Sequence, residues 1–152
     1  MPDEKKQEMI CEIANDNSAR KHILVVDDDP IMLKLIRAYL QDDYKVSVVN
    51  SGKIGIEFLL KYKPDLILLD YMMPLYSGAT VLKIIQSKEN TKDIPVFFLT
   101  GKTDIDTVSE CLAFHPAGYI VKPVAKAALL EKLRKFFAEQ PYRIDENGEK
   151  GN

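Results

Sequence analysis

The sequence contains no tryptophan, only two histidines and only two cysteines. His22 and His115 lie far apart, and no cysteine or histidine has the spacing of a zinc site. The first twenty residues alternate charged residues with one brief apolar cluster, which is unlike a secretory signal. We therefore expect Cys11 and Cys111 to be reduced thiols of a cytoplasmic protein.

The chain also lacks a strong excess of charge and any long apolar run. A formal net charge of −2 provides no cationic field for nucleic acid, so we expect no direct nucleic acid binding. The longest apolar runs, such as residues 23–26 and 95–99, fall far short of the roughly twenty residues that span a bilayer. We expect no membrane segment, and partners that are proteins or small molecules.

Short aliphatic runs recur along the chain. Strands that are apolar on both faces are typical of a parallel sheet covered by helices. Between Tyr44 and Val49, apolar and polar residues alternate instead, which predicts an edge strand. The four unbroken runs are residues 23–26, 66–69, 96–99 and 119–121.

Helical patterns lie between these runs. Strands that alternate with helices predict one α/β domain with a three-layer, doubly wound sheet and right-handed crossovers. We expect residues 1–20 to be a flexible extension, residues 21–139 the folded domain and residues 140–152 a polar tail. The predicted helices are 30–41 after an Asp29 cap, one capped by Ser51, one opened by Ser77 and Gly78, one opened by a capping box of Thr103 and Asp106, and one with a stripe of Leu129, Leu133, Phe136 and Phe137 ending near Ala138.

Polar side chains follow the predicted strands, where ligands bind in such sheets. In chain order the strands end in Asp27-Asp28-Asp29, Asp70, Thr100 and Lys122. Clustered carboxylates repel one another unless a cation neutralises them, and an all-oxygen set suits Mg²⁺. A metal, a lysine and an in-line carboxylate are what phosphoryl transfer requires. We interpret Asp70 as a nucleophile that forms an acyl phosphate.

Four segments carry a family resemblance, and each directly follows or ends an aliphatic run. They are Val25-Val26-Asp27-Asp28-Asp29-Pro30, Leu69-Asp70-Tyr71-Met72-Met73-Pro74, Leu99-Thr100-Gly101 and Tyr119-Ile120-Val121-Lys122-Pro123. Over about residues 21–139 the chain resembles the receiver domain of two-component response regulators. The resemblance implies a flavodoxin-like sheet of five parallel strands, in the order 2-1-3-4-5, with five helices.

The resemblance also implies a metal site. Asp28 and Asp70 would coordinate Mg²⁺ directly, Asp27 would do so mostly through water, and the backbone carbonyl of Met72 would complete the protein ligands. Asp70 would be the phosphoacceptor, so that the chain catalyses only its own phosphorylation and dephosphorylation.

Further roles follow from the same resemblance. Thr100 would donate a hydrogen bond to the phosphoryl group, Lys122 would form an ion pair with it, and Gly101 would keep access open. The Lys122-Pro123 bond is expected to be cis. Tyr119 matches the aromatic position whose ring turns inward as Thr100 moves toward the phosphate.

The chain departs from the family's commonest pattern at Tyr76-Ser77-Gly78, where Met-Asp-Gly is more usual. The positions that tune hydrolysis in this family are Met72 and Lys102. Because an apolar Met72 cannot orient an attacking water, we predict slow self-dephosphorylation.

The expected partners are a histidine kinase or phosphotransfer protein upstream and a protein target downstream. The short tail favours a stand-alone receiver, a monomer or weak phosphorylation-dependent dimer. One alternative is a degenerate receiver, which would bind proteins without being phosphorylated. Another is a small hydrolase or flavin protein of the same fold, against which the acidic first turn argues because it lacks a glycine-rich phosphate loop.

Overall fold

A computed structural model describes residues 20–101, 105–140, 143–144 and 150–151. Five parallel strands alternate with five helices, as the sequence predicts. The strands are β1 His22–Val26, β2 Lys45–Val49, β3 Leu66–Asp70, β4 Val96–Thr100 and β5 Gly118–Val121. The helices are α1 Pro30–Leu40, α2 Gly52–Phe58, α3 Gly78–Gln86, α4 Ile105–Ala113 and α5 Lys126–Glu139.

The strands lie in the order β2-β1-β3-β4-β5, which confirms the predicted flavodoxin-like topology. Every residue of β3 and β4 is buried, because both strands are paired on two sides and covered on both faces. The alternating strand β2 lies at one edge, as its pattern predicts, and is paired only with β1.

Two apolar cores fill the space between the sheet and its helices. Leu24 and Val26 of β1 point into the core formed with α2, α3 and α4. Their neighbours Ile23 and Val25 point into the core formed with α1 and α5. This alternation is the side-chain period of a strand, and it confirms that the sheet is doubly wound.

Three of the predicted caps are observed. The carboxylate of Asp29 accepts a hydrogen bond from the Ile31 amide at 2.9 Å, and Ser51 and Ser77 cap α2 and α3 in the same way. These caps fix where each loop leaves the sheet edge and turns into a helix. The predicted capping box at Thr103 lies outside the described residues.

The two ends of the chain are described only in part. The predicted extension, apart from Arg20, lies outside the described residues. In the tail, β6 Arg143–Ile144 pairs antiparallel with β7 Lys150–Gly151, a pairing that the sequence analysis did not predict. Within the described part of the chain, no helix has both the length and the apolar character needed to cross a bilayer.

Candidate functional site

The carboxyl ends of four strands bring the predicted polar side chains to one edge of the sheet. Asp27 directly follows β1, Asp70 and Thr100 are the last residues of β3 and β4, and Lys122 directly follows β5. Asp27, Asp70 and Thr100 are almost fully buried. Charged groups with so little access to water require charge partners, so the local contacts decide what the site can do.

Asp27 is held by the backbone around it. Its amide donates to the Val49 carbonyl at 3.2 Å, and its Oδ1 accepts a hydrogen bond from the Asp29 amide at 2.9 Å. Its Oδ2 is buried and accepts no hydrogen bond from the described residues, although the ammonium of Lys122 lies 3.0 Å away as an ion pair. One carboxylate oxygen therefore retains the capacity to bind a cation.

Lys122 lies between two carboxylates. Its Nζ is 3.0 Å from Oδ2 of Asp27 and 3.3 Å from Oδ1 of Asp70. Burial lowers the pKa of Lys122, but the two carboxylates outweigh this effect and raise the pKa overall. The Lys122-Pro123 peptide bond is cis, as predicted, and the Lys122 amide donates to the Thr100 carbonyl at 2.7 Å.

Asp70 is the most perturbed carboxyl group in the site. Its Oδ1 accepts a hydrogen bond from the Met72 amide at 3.3 Å and faces Lys122. Its pKa is raised from 3.8 to about 7, even though Lys122 acts in the opposite direction. The largest cause is the loss of hydration on burial, and the second is the negative charge of Asp27. A cation beside both carboxylates would reverse this shift.

The carboxylates have the geometry of a hard-cation site. One oxygen from each of Asp27, Asp28 and Asp70 lies within 4.8 Å of the others, and Asp28 is exposed while the other two are buried. Mg²⁺ takes oxygen ligands and keeps several waters, so a partly open site suits it. The buried Oδ2 of Asp27 forms an ion pair with Lys122 but accepts no hydrogen bond from the part of the chain that the structure describes, a further indication that these residues fit a metal ion.

The loop between β3 and α3 has little freedom at Gly78. The Gly78 amide donates to the Tyr71 carbonyl at 3.0 Å. A Cβ at this position would lie 2.5 Å from the Asp70 carbonyl oxygen and 2.8 Å from Cα of Tyr71. Both neighbours are backbone atoms, so only glycine fits without moving the acceptor.

Exposed apolar side chains follow two of the site's strands, on the loop after Asp70 and at the start of α1. Leu75 is fully exposed and has a φ of 67°. The other exposed apolar residues of this group lie on the same loop and at the start of α1. We call this set the apolar rim, and it consists of Ile31, Met72, Leu75 and Tyr76.

The conformation of Leu75 gives a stability prediction. A side chain with a Cβ in the left-handed region costs roughly 1–2 kcal/mol, so Leu75→Gly is expected to raise the free energy of unfolding by about 0.5–1 kcal/mol after the greater chain entropy of glycine is subtracted. Urea denaturation measures the change. Leu75→Ala keeps the Cβ and is expected to leave stability nearly unchanged; equal gains from both variants would contradict the explanation.

The structure adds one contact near the site that was not predicted, and it leaves the roles of other residues untested. The Tyr71 hydroxyl donates to Oε2 of Glu110 on α4 at 3.1 Å, and no motif indicates this pair. Tyr119 lies on β5, with Nζ of Lys132 5.7 Å from its ring centre, and its switching role stays a prediction. Lys102 lies outside the described residues. Cys111 is a buried free thiol, whereas Cys11 is not described.

Comparison with known proteins agrees with this geometry. The chain is 32% identical over 117 residues to chemotaxis protein CheY-3 of Vibrio cholerae, covering 76% of this chain and 90% of that protein. It is 37% identical over 103 residues to a probable cyclic di-GMP phosphodiesterase of the same species, covering 68% of this chain but only 23% of that protein.

A solved structure with magnesium in its active site cleft is also similar. The receiver domain of sensor histidine kinase PA1611 from Pseudomonas aeruginosa has a TM-score of 0.73 and 27% identity, covering 80% of this chain and all of that one. The family model for the response regulator receiver domain matches residues 23–134. The chain therefore belongs to the receiver domain family of response regulators.

Proposed function

We propose that this chain is a phosphorylation switch of two-component signalling, which accepts a phosphoryl group on Asp70 from a histidine kinase or phosphotransfer protein. The observation that carries the proposal is the meeting of Asp70 with two further carboxylates and one ammonium, with Lys122 within 3.3 Å of Asp70. A nucleophile, a cation site and a fixed positive charge are the parts that phosphoryl transfer requires.

Asp27, Asp28 and Asp70 are the proposed side-chain ligands of Mg²⁺, with the Met72 carbonyl as a fourth protein ligand. When bound, the ion supplies positive charge that keeps Asp70 ionised and neutralises the phosphoryl oxygens. Asp28 is the exposed member of the set, which leaves room for water and for the incoming phosphoryl group on that side.

The transfer step is a displacement at phosphorus. An oxygen of the Asp70 carboxylate forms a bond to phosphorus while the bond from phosphorus to the donor breaks, and the donor leaves with the electron pair. Lys122 holds its ammonium beside the acceptor, where it would form an ion pair with the phosphoryl oxygens. Thr100, at the end of β4, would donate a hydrogen bond from its hydroxyl to the same group.

Acetyl phosphate with Mg²⁺ tests the proposal without a cognate kinase. Intact mass spectrometry is expected to show one added phosphoryl group on the full chain and none on Asp70→Asn. Asp42→Asn removes an exposed carboxylate on the loop after α1 and should leave uptake unchanged. Equal uptake by the chain and by Asp70→Asn would exclude Asp70 as the acceptor, and a chain that takes up nothing would favour the degenerate receiver instead.

The signalling partners are part of the same proposal. The apolar rim follows two of the site's strands and is suited to a protein phosphodonor in the cytoplasm, because exposed apolar side chains on an otherwise polar surface mark protein contacts. A target protein would read the face formed by α4, β5 and α5. We propose a monomer, or a weak dimer that forms on phosphorylation.

Met72 leads to a prediction about the lifetime of the phosphorylated state. Met72 is 62% exposed, and its thioether forms only weak hydrogen bonds with water, so we expect the phosphoryl group to persist for minutes or longer. Met72→Asn supplies an amide that orients water and is expected to shorten the lifetime several-fold, measured by mass after the donor is removed. Leu60→Asn makes the same exchange at an exposed position on the loop after α2 and should have no effect. A lifetime of seconds in the unmodified chain would contradict the prediction.

A further inference from the structure

Tyr71 connects the acceptor Asp70 to α4, the helix that follows the neighbouring strand β4. It directly follows Asp70, and its backbone is held on both sides, with its amide donating to the Leu99 carbonyl at 2.9 Å and its carbonyl accepting from Gly78 at 3.0 Å. Its ring packs edge-on against Phe98, with 5.2 Å between ring centres. The direction of the Tyr71 side chain is therefore fixed relative to the acceptor.

The far end of this side chain reaches α4. The hydroxyl of Tyr71 donates to Oε2 of Glu110 at 3.1 Å across 39 residues of sequence. A phenol hydroxyl carries its proton at neutral pH, so it can donate to the Glu110 carboxylate, which only accepts. The next residue, Cys111, is fully buried in the core below α4, which fixes the helix on its inner side. We call the hydrogen bond from Tyr71 to Glu110 the α4 bridge.

The position of α4 matters because of what lies on either side of it in the chain. Thr100 at the end of β4 precedes it, and β5 with Tyr119 follows it. A shift of α4 relative to β3 would lengthen and break the α4 bridge, since the Tyr71 end cannot follow. A contact that exists in one arrangement of two stabilises that arrangement and lowers the population of the other.

We propose that the α4 bridge is a latch that holds α4 in the arrangement of the unphosphorylated chain and thereby opposes modification of Asp70. The latch rests on the proposed function, because it acts on the phosphorylation equilibrium. Tyr71 is a positioning residue: it makes no contact with the phosphoryl group, and it acts through Glu110. Asp70 remains the group that attacks the phosphodonor, the three carboxylates remain the metal ligands, and Lys122 remains the charge partner of the phosphoryl group.

Two variants remove the latch from opposite ends. Tyr71→Phe deletes the hydroxyl and keeps the ring on Phe98, and Glu110→Ala removes the acceptor carboxylate at an exposed position of α4. Each is expected to raise the affinity for beryllofluoride with Mg²⁺, a mimic of the phosphoryl group, about three- to tenfold, and to speed phosphorylation by acetyl phosphate by a similar factor. The double variant is expected to gain little more than either single one, because both act on one contact.

Tyr62→Phe is the matched control. Tyr62 is half-buried and packs against Phe58, with 4.9 Å between ring centres, away from α4. It is expected to leave beryllofluoride affinity unchanged. Urea denaturation of all variants separates the latch from a purely structural bond, which would lower the free energy of unfolding without changing the affinity.

The outcomes distinguish the latch from the function on which it rests. If the unmodified chain takes up phosphate and Tyr71→Phe shows equal or lower beryllofluoride affinity, the latch is wrong and the phosphoacceptor stands. If the gains of the two single variants multiply in the double variant, the two residues act separately and the latch is also wrong. If neither the chain nor any variant binds beryllofluoride or takes up phosphate, the proposed function fails first.

Discussion

Replacing Gly78 with alanine is expected to lower the free energy of unfolding by about 3 kcal/mol or more and to abolish phosphate uptake by Asp70. The new Cβ would lie 2.5 Å from the carbonyl oxygen of Asp70 and 2.8 Å from Cα of Tyr71. Neither atom can rotate away, so the end of β3 must move. The change is measured by urea denaturation and by intact mass after incubation with acetyl phosphate and Mg²⁺.

Gly101 is the matched control for this substitution. Gly101 also lies at the site edge, directly after β4, but a Cβ there would have no neighbour within 4 Å. Gly101→Ala is expected to change the free energy of unfolding by less than about 1 kcal/mol. Equal destabilisation by the two alanines would show that the contacts around Gly78 are not the cause.

The second large effect is the pH dependence of stability in the absence of metal. Folding raises the pKa of Asp70 from 3.8 to about 7. Between these values the folded chain keeps a proton that the unfolded chain has lost, so stability falls as the pH rises from about 4 to about 7. Because one pKa unit corresponds to about 1.4 kcal/mol, the free energy of unfolding is expected to fall by roughly 2–4 kcal/mol. Asp70→Asn removes the ionisation and is expected to remove this fall.

Urea denaturation at about pH 5 and about pH 8, with a chelator present, measures this effect. The chain is expected to lose stability between the two conditions, while Asp70→Asn loses much less. Added Mg²⁺ is expected to restore stability at the higher pH, with an affinity that rises about tenfold per pH unit below 7, because the metal binds the ionised carboxylate. Parallel pH profiles for the chain and Asp70→Asn would show that another group is responsible.

The fold and the position of the site were accessible from the sequence because they depend on periodic patterns. Continuous aliphatic runs predicted the buried strands, and alternation between Tyr44 and Val49 predicted the edge position of β2. Once the sheet is parallel, the ends of its strands share an edge, so Asp70 and Lys122 had to meet Asp27 there. The structure adds the distances, the burial and the raised pKa values of Asp70 and Lys122.

Other features depend on three-dimensional contacts that no local pattern encodes. Leucine has no preference for a positive φ, so the sequence gives no sign of the conformation of Leu75. The α4 bridge joins residues 39 positions apart, and Tyr71 and Glu110 each look like an ordinary surface residue on their own element. Gly78 was recognised as a helix start, but the approach of the Asp70 carbonyl became visible only in the structure.

The strand order has a consequence for how the chain folds during synthesis. Strand β1 lies between β2 and β3 and pairs with both, and the amide of His22 at its start donates to Asp65 across 43 residues. Strand β1 therefore leaves the ribosome well before β3 has been synthesised. Until then, the backbone groups along one edge of β1 have no partner strand. Because contacts between residues so far apart in sequence form slowly, we expect β1 to stay only partly paired until β3 emerges, and Leu69, the residue before the acceptor, forms the last pair with β1.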